Sequence, residues 1–310
     1  MLNSARFLKF ALLPLLLTAG VAAPAPLRVM LLTGESNRYH DWTKSSPLVK
    51  TYLDQTGLFA VDVVTAPLKG VERSDFNPKF SDYAVIVMDY ETMDWPAATK
   101  AAFVTYMKNG GGLVTIHAAD NAFPHWPEFN EMIGVGGWGI TPAGGVNARQ
   151  PDAGVKLRWR DGHAVTDDSP GGYGHPAPHD FTVVTRTPDH PIMRGLPAAW
   201  LHAMDEIYSQ LRGPAKNVTV LATALADKKQ FPNASGEDEP MLMTIAYGQG
   251  RVFHTTFGHV GPQSKPPFRP LTCVGFIVTL QRGTEWAATG KVTQQVPADF
   301  PTAEKISTRN

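Results

Sequence analysis

The stretch Gly110–Asp120, "GGGLVTIHAAD", decides how the chain reads. Glycines close one element, an uninterrupted apolar run of strand length follows, and the run stops abruptly at His117. The segment before it, "PAATKAAFVTYMKNGG", spaces its apolar residues as a helix does and ends in glycines, a C-cap signal. A helix leading into an apolar strand without polar alternation is the pattern of a parallel strand buried on both faces.

Working outward, the pattern recurs. "LRVMLLT" (Leu27–Thr33), "FAVDVVT" and "DYAVIVMDY" read as three more strands, and "PLVKTYLDQTG" as a short helix ending at Gly57. The middle is less regular. The Gly/Pro-rich loops "GVGGWGITPAGG" and "DSPGGYGHPAPHD" flank a weak strand, "GVKLRWR". "FTVVTRT" and "NVTVLATAL" add strands, and "PMLMTIAYGQGRVFHTTFGH" reads as two more joined by a hairpin-like turn at Gly248–Gly250. "FRPLTCVGFIVTLQRGTEWAATG" reads as one helix covering the sheet. The expectation is an α/β fold, an open and mostly parallel sheet in one domain over residues 26–290. Residues 291–310, polar and Pro-containing, are expected to form a loosely held tail.

The chain has 310 residues with 28 basic and 28 acidic side chains, so its formal net charge is zero. That balance gives no footprint for nucleic acid or an anionic membrane surface. The first 25 residues carry Arg6 and Lys9, then an apolar stretch from Phe10 to Val21, then small residues at Ala23 and Ala25. This is the pattern of a cleaved signal peptide, and the protein is expected to be exported, periplasmic or secreted, with no membrane span after cleavage. Cys273 is the single cysteine, so no disulfide forms within the chain and stability rests on the core.

In open parallel sheets, ligands bind outside the carboxyl ends of the strands. Strand one exits into "GESNRYHDW" with His40 and Asp41, strand three ends at Asp89, Tyr90 and Glu91, and strand four ends at His117 with Asp120 just beyond. The late strand "RVFHTTFGH" ends at His259, and "HAMDEIYSQL" adds Asp205, Glu206 and Tyr208. Singly, each has a structural reading, and Asp41 could be a helix N-cap. Together, His40, His117, Glu206 and His259 define a candidate site. His125, His163, His175 and His179 fall in Pro/Gly-rich loops and are read as solvated or backbone-bonded. Trp42, Trp126 and Trp138 read as core anchors or as platforms for a sugar ring.

The blocks "NRYHDW", "GGGLVTIHAADNAFPHWPEFNEMIGVGG", "DHPIMRGLP", "DEIYSQL" and "YGQGRVFHTTFGH" together resemble the ThuA-like (trehalose-utilisation) family, in the family's order. The resemblance implies a flavodoxin-like fold related to class I glutamine amidotransferases, with helices on both faces of the sheet. It also implies catabolism of glycosides, including those oxidised at the sugar's C3. It places the family's positions on His40, His117, Asp205, Glu206, Tyr208 and His259, while His190 in "DHP" is read as holding a loop. True amidotransferases use a cysteine nucleophile on a sharp turn after a strand. Here "VTIHAAD" offers His117 instead, and Cys273 lies among apolar neighbours as an inert thiol. Glutamine hydrolysis is therefore not expected.

No Ser-centred elbow or phosphate loop occurs, and Gly110–Gly112 precede their strand, whereas a dinucleotide fingerprint follows one. No nucleotide cofactor is expected. Proton transfer remains. A C3 ketone acidifies the hydrogen at C2, so a base can remove it, the C1 substituent can leave, and water can add back. Catalytic roles are assigned to His117, Glu206, His259 and His40, and contacts with a small carbohydrate to Asp41, Trp42, Asp120, Trp126, Asp205 and Tyr208. A divalent metal, Zn²⁺ or Mn²⁺, is left open, because its ligands would have to converge from separate strands. The rival reading is a non-catalytic sugar-binding module.

Overall fold

Apolar runs that alternate with amphipathic segments form strands and covering helices in the computed structural model, which describes residues 25–36, 38–68, 75–92, 94–138 and 154–309. The first half contains β1 (Leu27–Thr33), α1 (Trp42–Asp54), β2 (Phe59–Thr65), β3 (Val85–Met88), α2 (Ala97–Lys108), β4 (Gly112–Ile116) and α3 (Pro127–Ile133). The second half contains β5 (Val155–Arg160), β6 (His163–Asp167), β7 (His179–Thr185), β8 (Ala199–Asp205), β9 (Arg212–Gly213), β10 (Val218–Leu225), β11 (Asp238–Tyr247), β12 (Gly250–Thr255), α4 (Arg269–Thr272) and α5 (Val274–Thr289).

The main sheet runs β2-β1-β3-β4-β12-β11-β10-β7-β8, with β5, β6 and β9 as a side branch on β11. From β2 to β12 every pairing is parallel, and beyond β12 the strands are antiparallel. The parallel half is buried on both faces, as its unbroken apolar runs require. Val29, Leu31, Val85, Val87 and Val114 face one core with α1 and α5, whereas Met30, Leu32, Ile86, Met88 and Leu113 face the other with α2 and α3. Close packing of α5 on β12 depends on Gly283, where a Cβ would come 2.1 Å from the Phe253 ring. Register shifts in β10 against β11 and in β7 against β8 bend the antiparallel half. The end of β8 meets the loop after β12, where Asp205 accepts a hydrogen bond from Gly258 N at 2.7 Å.

Three expectations need correction. The first helix does not wait for Pro47 but starts at Trp42, because the Asp41 side chain accepts from Thr43 N and caps it. The last helix is two, broken at Cys273, which adopts an extended conformation between them. The tail is not loose. Val274 N donates to Ser307 O, Leu201 N to Thr302 O, and Phe300 is buried against Trp200. The guanidinium of buried Arg282 also donates to the carbonyl of Gln294. The proposed signal peptide falls almost wholly on residues 1–24, outside the described residues. Among the described residues, no helix is long and apolar enough to cross a membrane.

Candidate active site

His40, His117, Glu206 and His259 arrive from four different strand ends, those of β1, β4, β8 and β12. β4 ends at Ile116, and His117 turns the chain with φ 47°, starting a short 3-10 turn over His117–Asn121. A side chain with a β-carbon pays about 1–3 kcal/mol for such a backbone, so the surroundings must hold it there. They do so through His117 Nδ1, which lies 2.7 Å from the carbonyl of Thr256. A carbonyl only accepts, so Nδ1 of the neutral ring carries the hydrogen and Nε2 presents a lone pair.

That Nε2 is the focus of the site. The Tyr208 hydroxyl lies 2.8 Å away, His259 Nδ1 3.2 Å and Glu206 Oε2 3.6 Å. Glu206 Oε2 is also 3.3 Å from His259 Nδ1. His40 enters from the loop after β1. Its Nε2 lies 3.2 Å from the Tyr208 hydroxyl, and its Nδ1 lies 3.4 Å from Glu91 Oε2. One donor atom from each of His40, His117, Glu206 and His259 falls within 4.8 Å of the others, a set able to hold a divalent ion.

Burial sets the protonation of this cluster. His117 is held well below the usual imidazole value by burial, reinforced by His40 and His259. His259 is lowered to about 4 by burial and then by His40. Glu206 is pushed up to about 8 by burial and by the adjacent Asp205 charge. Near neutral pH the site therefore sets the neutral imidazoles of His117 and His259 beside a protonated Glu206 carboxyl. Perturbed groups of this kind gathered at a strand-end rim make the cluster a candidate reactive centre.

Of the residues assigned to substrate, Tyr208 lies at the centre. Asp205 does not face a ligand. It is fully buried, and its carboxylate accepts from the main chain of Glu206 (2.9 Å), Gly258 (2.7 Å) and His259 (3.1 Å). Burial alone would raise its pKa, but His202 at 2.9 Å and those contacts bring it down to about 2. Asp205 thus clamps the loop carrying His259 to the segment carrying Glu206. Asp120 is buried beneath the site, 3.6 Å from His254. Trp126 packs in an aromatic cluster with Trp95, Phe103, Phe123 and Phe129, and Trp138 donates to Ala122 O. Both indoles are buried, so neither offers a face to a sugar. Asp41 spends its carboxylate on capping α1, and Trp42, the first residue of that helix, stays partly exposed.

Sequence reasoning gave no site role to two contributors. His175, read as a loop histidine, has its Nδ1 near Pro176 O (3.0 Å) and also 3.3 Å from Glu206 Oε1, at the rim. Glu91 supplies the carboxylate behind His40. Glu91 had a signal, since it follows a strand end, whereas nothing in "GGYGHPAP" marks His175. Cys273 is fully buried, so no thiol is offered as a nucleophile.

An open α/β sheet with helices on both faces and a histidine on the turn after a central strand defines a flavodoxin-like protein of the class I glutamine amidotransferase-like type without the cysteine. The ThuA family, described as trehalose utilisation, matches residues 28–273, and the chain belongs to it. A ThuA-like protein from Parabacteroides merdae ATCC 43184 is 43% identical, with TM-score 0.84 over 92% of this chain and 98% of that one. A second, from Bacteroides uniformis ATCC 8492, shares the fold at 21% identity, with TM-score 0.56 over 89% of this chain and 98% of that one. No curated protein matches significantly. Membership of the family gives the protein a carbohydrate-related role.

Proposed function

We propose that the protein is an exported carbohydrate-processing enzyme that acts on glycosides or their 3-keto derivatives by proton transfer at this cluster. The observation that carries the reading is the convergence of buried, neutral imidazoles with a carboxyl raised to about 8, at the carboxyl-end rim of the sheet. The leader-like first 25 residues support export.

The geometry supports the following roles. His40 is the base, because Glu91 beside its Nδ1 orients the ring and stabilises the imidazolium formed when Nε2 takes a proton. It removes the hydrogen at C2 of a 3-keto sugar, and the C–H electrons move into the C3 carbonyl as an enolate. The Glu206 proton and the Tyr208 hydroxyl, which meet at His117 Nε2, are the donors to the developing oxyanion. The enolate collapses, the bond from C1 to the aglycone oxygen breaks, and protonated His40 returns its proton to that oxygen. Water adding across C1=C2 completes net hydrolysis, and release before that step gives elimination.

The test is incubation of the mature protein with a panel of glycosides and their 3-keto derivatives, read by mass spectrometry. Release of the aglycone from the keto forms is expected. Saturable binding with every ligand recovered intact would favour a sugar-binding module.

A further inference from the structure

His117 Nε2, His259 Nδ1 and Glu206 Oε2 form a triangle with edges of 3.2, 3.3 and 3.6 Å. Zinc binds imidazole nitrogen and carboxylate oxygen at about 2.0–2.1 Å, which in a tetrahedron separates neighbouring donors by roughly 3.3 Å. A point about 2.0–2.1 Å from all three donors lies only about 0.6 Å off their plane, as a tetrahedral face requires. The three donor atoms come from the ends of three different strands and converge on one point. Among the described residues, no Lys or Arg makes the contacts recorded for these three side chains.

We propose that His117 Nε2, His259 Nδ1 and Glu206 Oε2 form a three-donor site for a divalent transition metal of the zinc class. The proposal deepens the reading of this cluster as the reacting centre and rests on it. The supports behind the donors are those a metal site needs. Thr256 O fixes the His117 tautomer at 2.7 Å, His175 lies 3.3 Å from the other oxygen of Glu206, and Asp205 pins the main chain of both Glu206 and His259. When the metal binds, His117 Nε2 exchanges its Tyr208 contact for the ion, and the hydroxyl keeps its partner His40 at 3.2 Å.

His40 stays outside the triangle, paired with Glu91, and keeps its role as the base. Three protein donors leave positions open, as in catalytic rather than structural zinc sites. Those positions suit the C2 hydroxyl and C3 carbonyl oxygens of a 3-keto sugar, which chelate as a five-membered ring. A bound ion would supply Lewis-acid stabilisation of the C3 oxygen in place of the proton on Glu206, and His40 would move the same proton.

The experiment uses the full mature chain stripped with chelator, then titrated with Zn²⁺ by calorimetry and with Co²⁺ by visible absorption. One ion per chain is expected, with a Co²⁺ ligand-field band of four- or five-coordinate intensity. Glu206→Gln and His259→Ala, checked for folding by circular dichroism, should weaken binding by a hundredfold or more. His40→Gln should bind within a few-fold of the parent. A stripped protein that takes up neither ion at micromolar concentration overturns the site, as does undiminished binding by folded Glu206→Gln. Loss of binding in folded His40→Gln overturns the three-donor assignment. Keto-glycoside turnover at the full rate by the stripped protein sinks the metal and leaves the proposed function standing. An ion bound as described without turnover of any glycoside does the reverse.

Discussion

His117 and Tyr208 are joined at their reactive ends: the phenolic hydroxyl lies 2.8 Å from His117 Nε2, while the opposite ring nitrogen is fixed to the carbonyl of Thr256. The ring therefore has one orientation and one neutral tautomer, and Tyr208 links it to His40 at 3.2 Å.

Tyr208→Phe removes that link and one donor to the enolate while keeping the ring in place. The keto-glycoside kcat is expected to fall about a hundredfold to a thousandfold, the range for loss of one such donor. Stability should change by no more than about 1–2 kcal/mol. Steady-state kinetics and a urea melt read both quantities, and an unchanged kcat would remove Tyr208 from the site.

Asp205→Asn tests the clamp. His202 is raised to about 10 because Cys273 and Asp205 outweigh the effect of burial, so the variant leaves a buried cation without its carboxylate. Breaking one side of a buried pair costs about 3–5 kcal/mol. Urea unfolding should show a loss of that size. Activity should fall with it, because the clamp positions His259 and Glu206.

Trp126→Ala separates packing from stacking. The indole lies within the aromatic cluster, so truncation should cost about 3–5 kcal/mol. KM for the substrate should stay unchanged in protein that remains folded. A raised KM at unchanged stability would restore the platform reading.

His190 gives a pH dependence away from the site. Burial lowers its pKa from 6.5 to about 4, and its Nδ1 accepts from Ile192 N at 3.3 Å, which requires the neutral ring. Its neutral form is favoured in the fold, so the unfolded chain binds the extra proton first. The contribution is full above about pH 6.5 and is lost as pH falls toward 4. His190→Gln should flatten the stability profile over that window, measured by urea denaturation at several pH values.

The parallel half of the sheet was legible because strands buried on both faces leave unbroken apolar runs, as in "LRVMLLT" and "GLVTI". His117 and His259 were legible for the same reason, since a polar residue that ends such a run stands at the rim. The start of α1 was not, because Pro47 reads as a boundary while Asp41 caps the helix and the Ser45 and Ser46 hydroxyls bind Asp89. The tail escaped because a polar chain can be held by hydrogen bonds to its main chain, which leave no hydrophobic period. His175 escaped because the loop that carries it has no periodicity at all. Trp126 shows the opposite limit: an aromatic residue next to a histidine looks like a platform until its neighbours are seen to enclose it.

The central claim is that this cluster moves the proton at C2 of a 3-keto sugar. The most direct measurement is proton NMR of a 3-keto-glycoside with a slow leaving group, incubated with the protein in D₂O beside folded His40→Gln. The account predicts loss of the C2 proton signal through exchange with deuterium in the parent, slowed about a hundredfold or more in the variant, as expected for removal of a general base. A C2 signal that persists while the aglycone is released, or exchange at the same rate in both proteins, would contradict it.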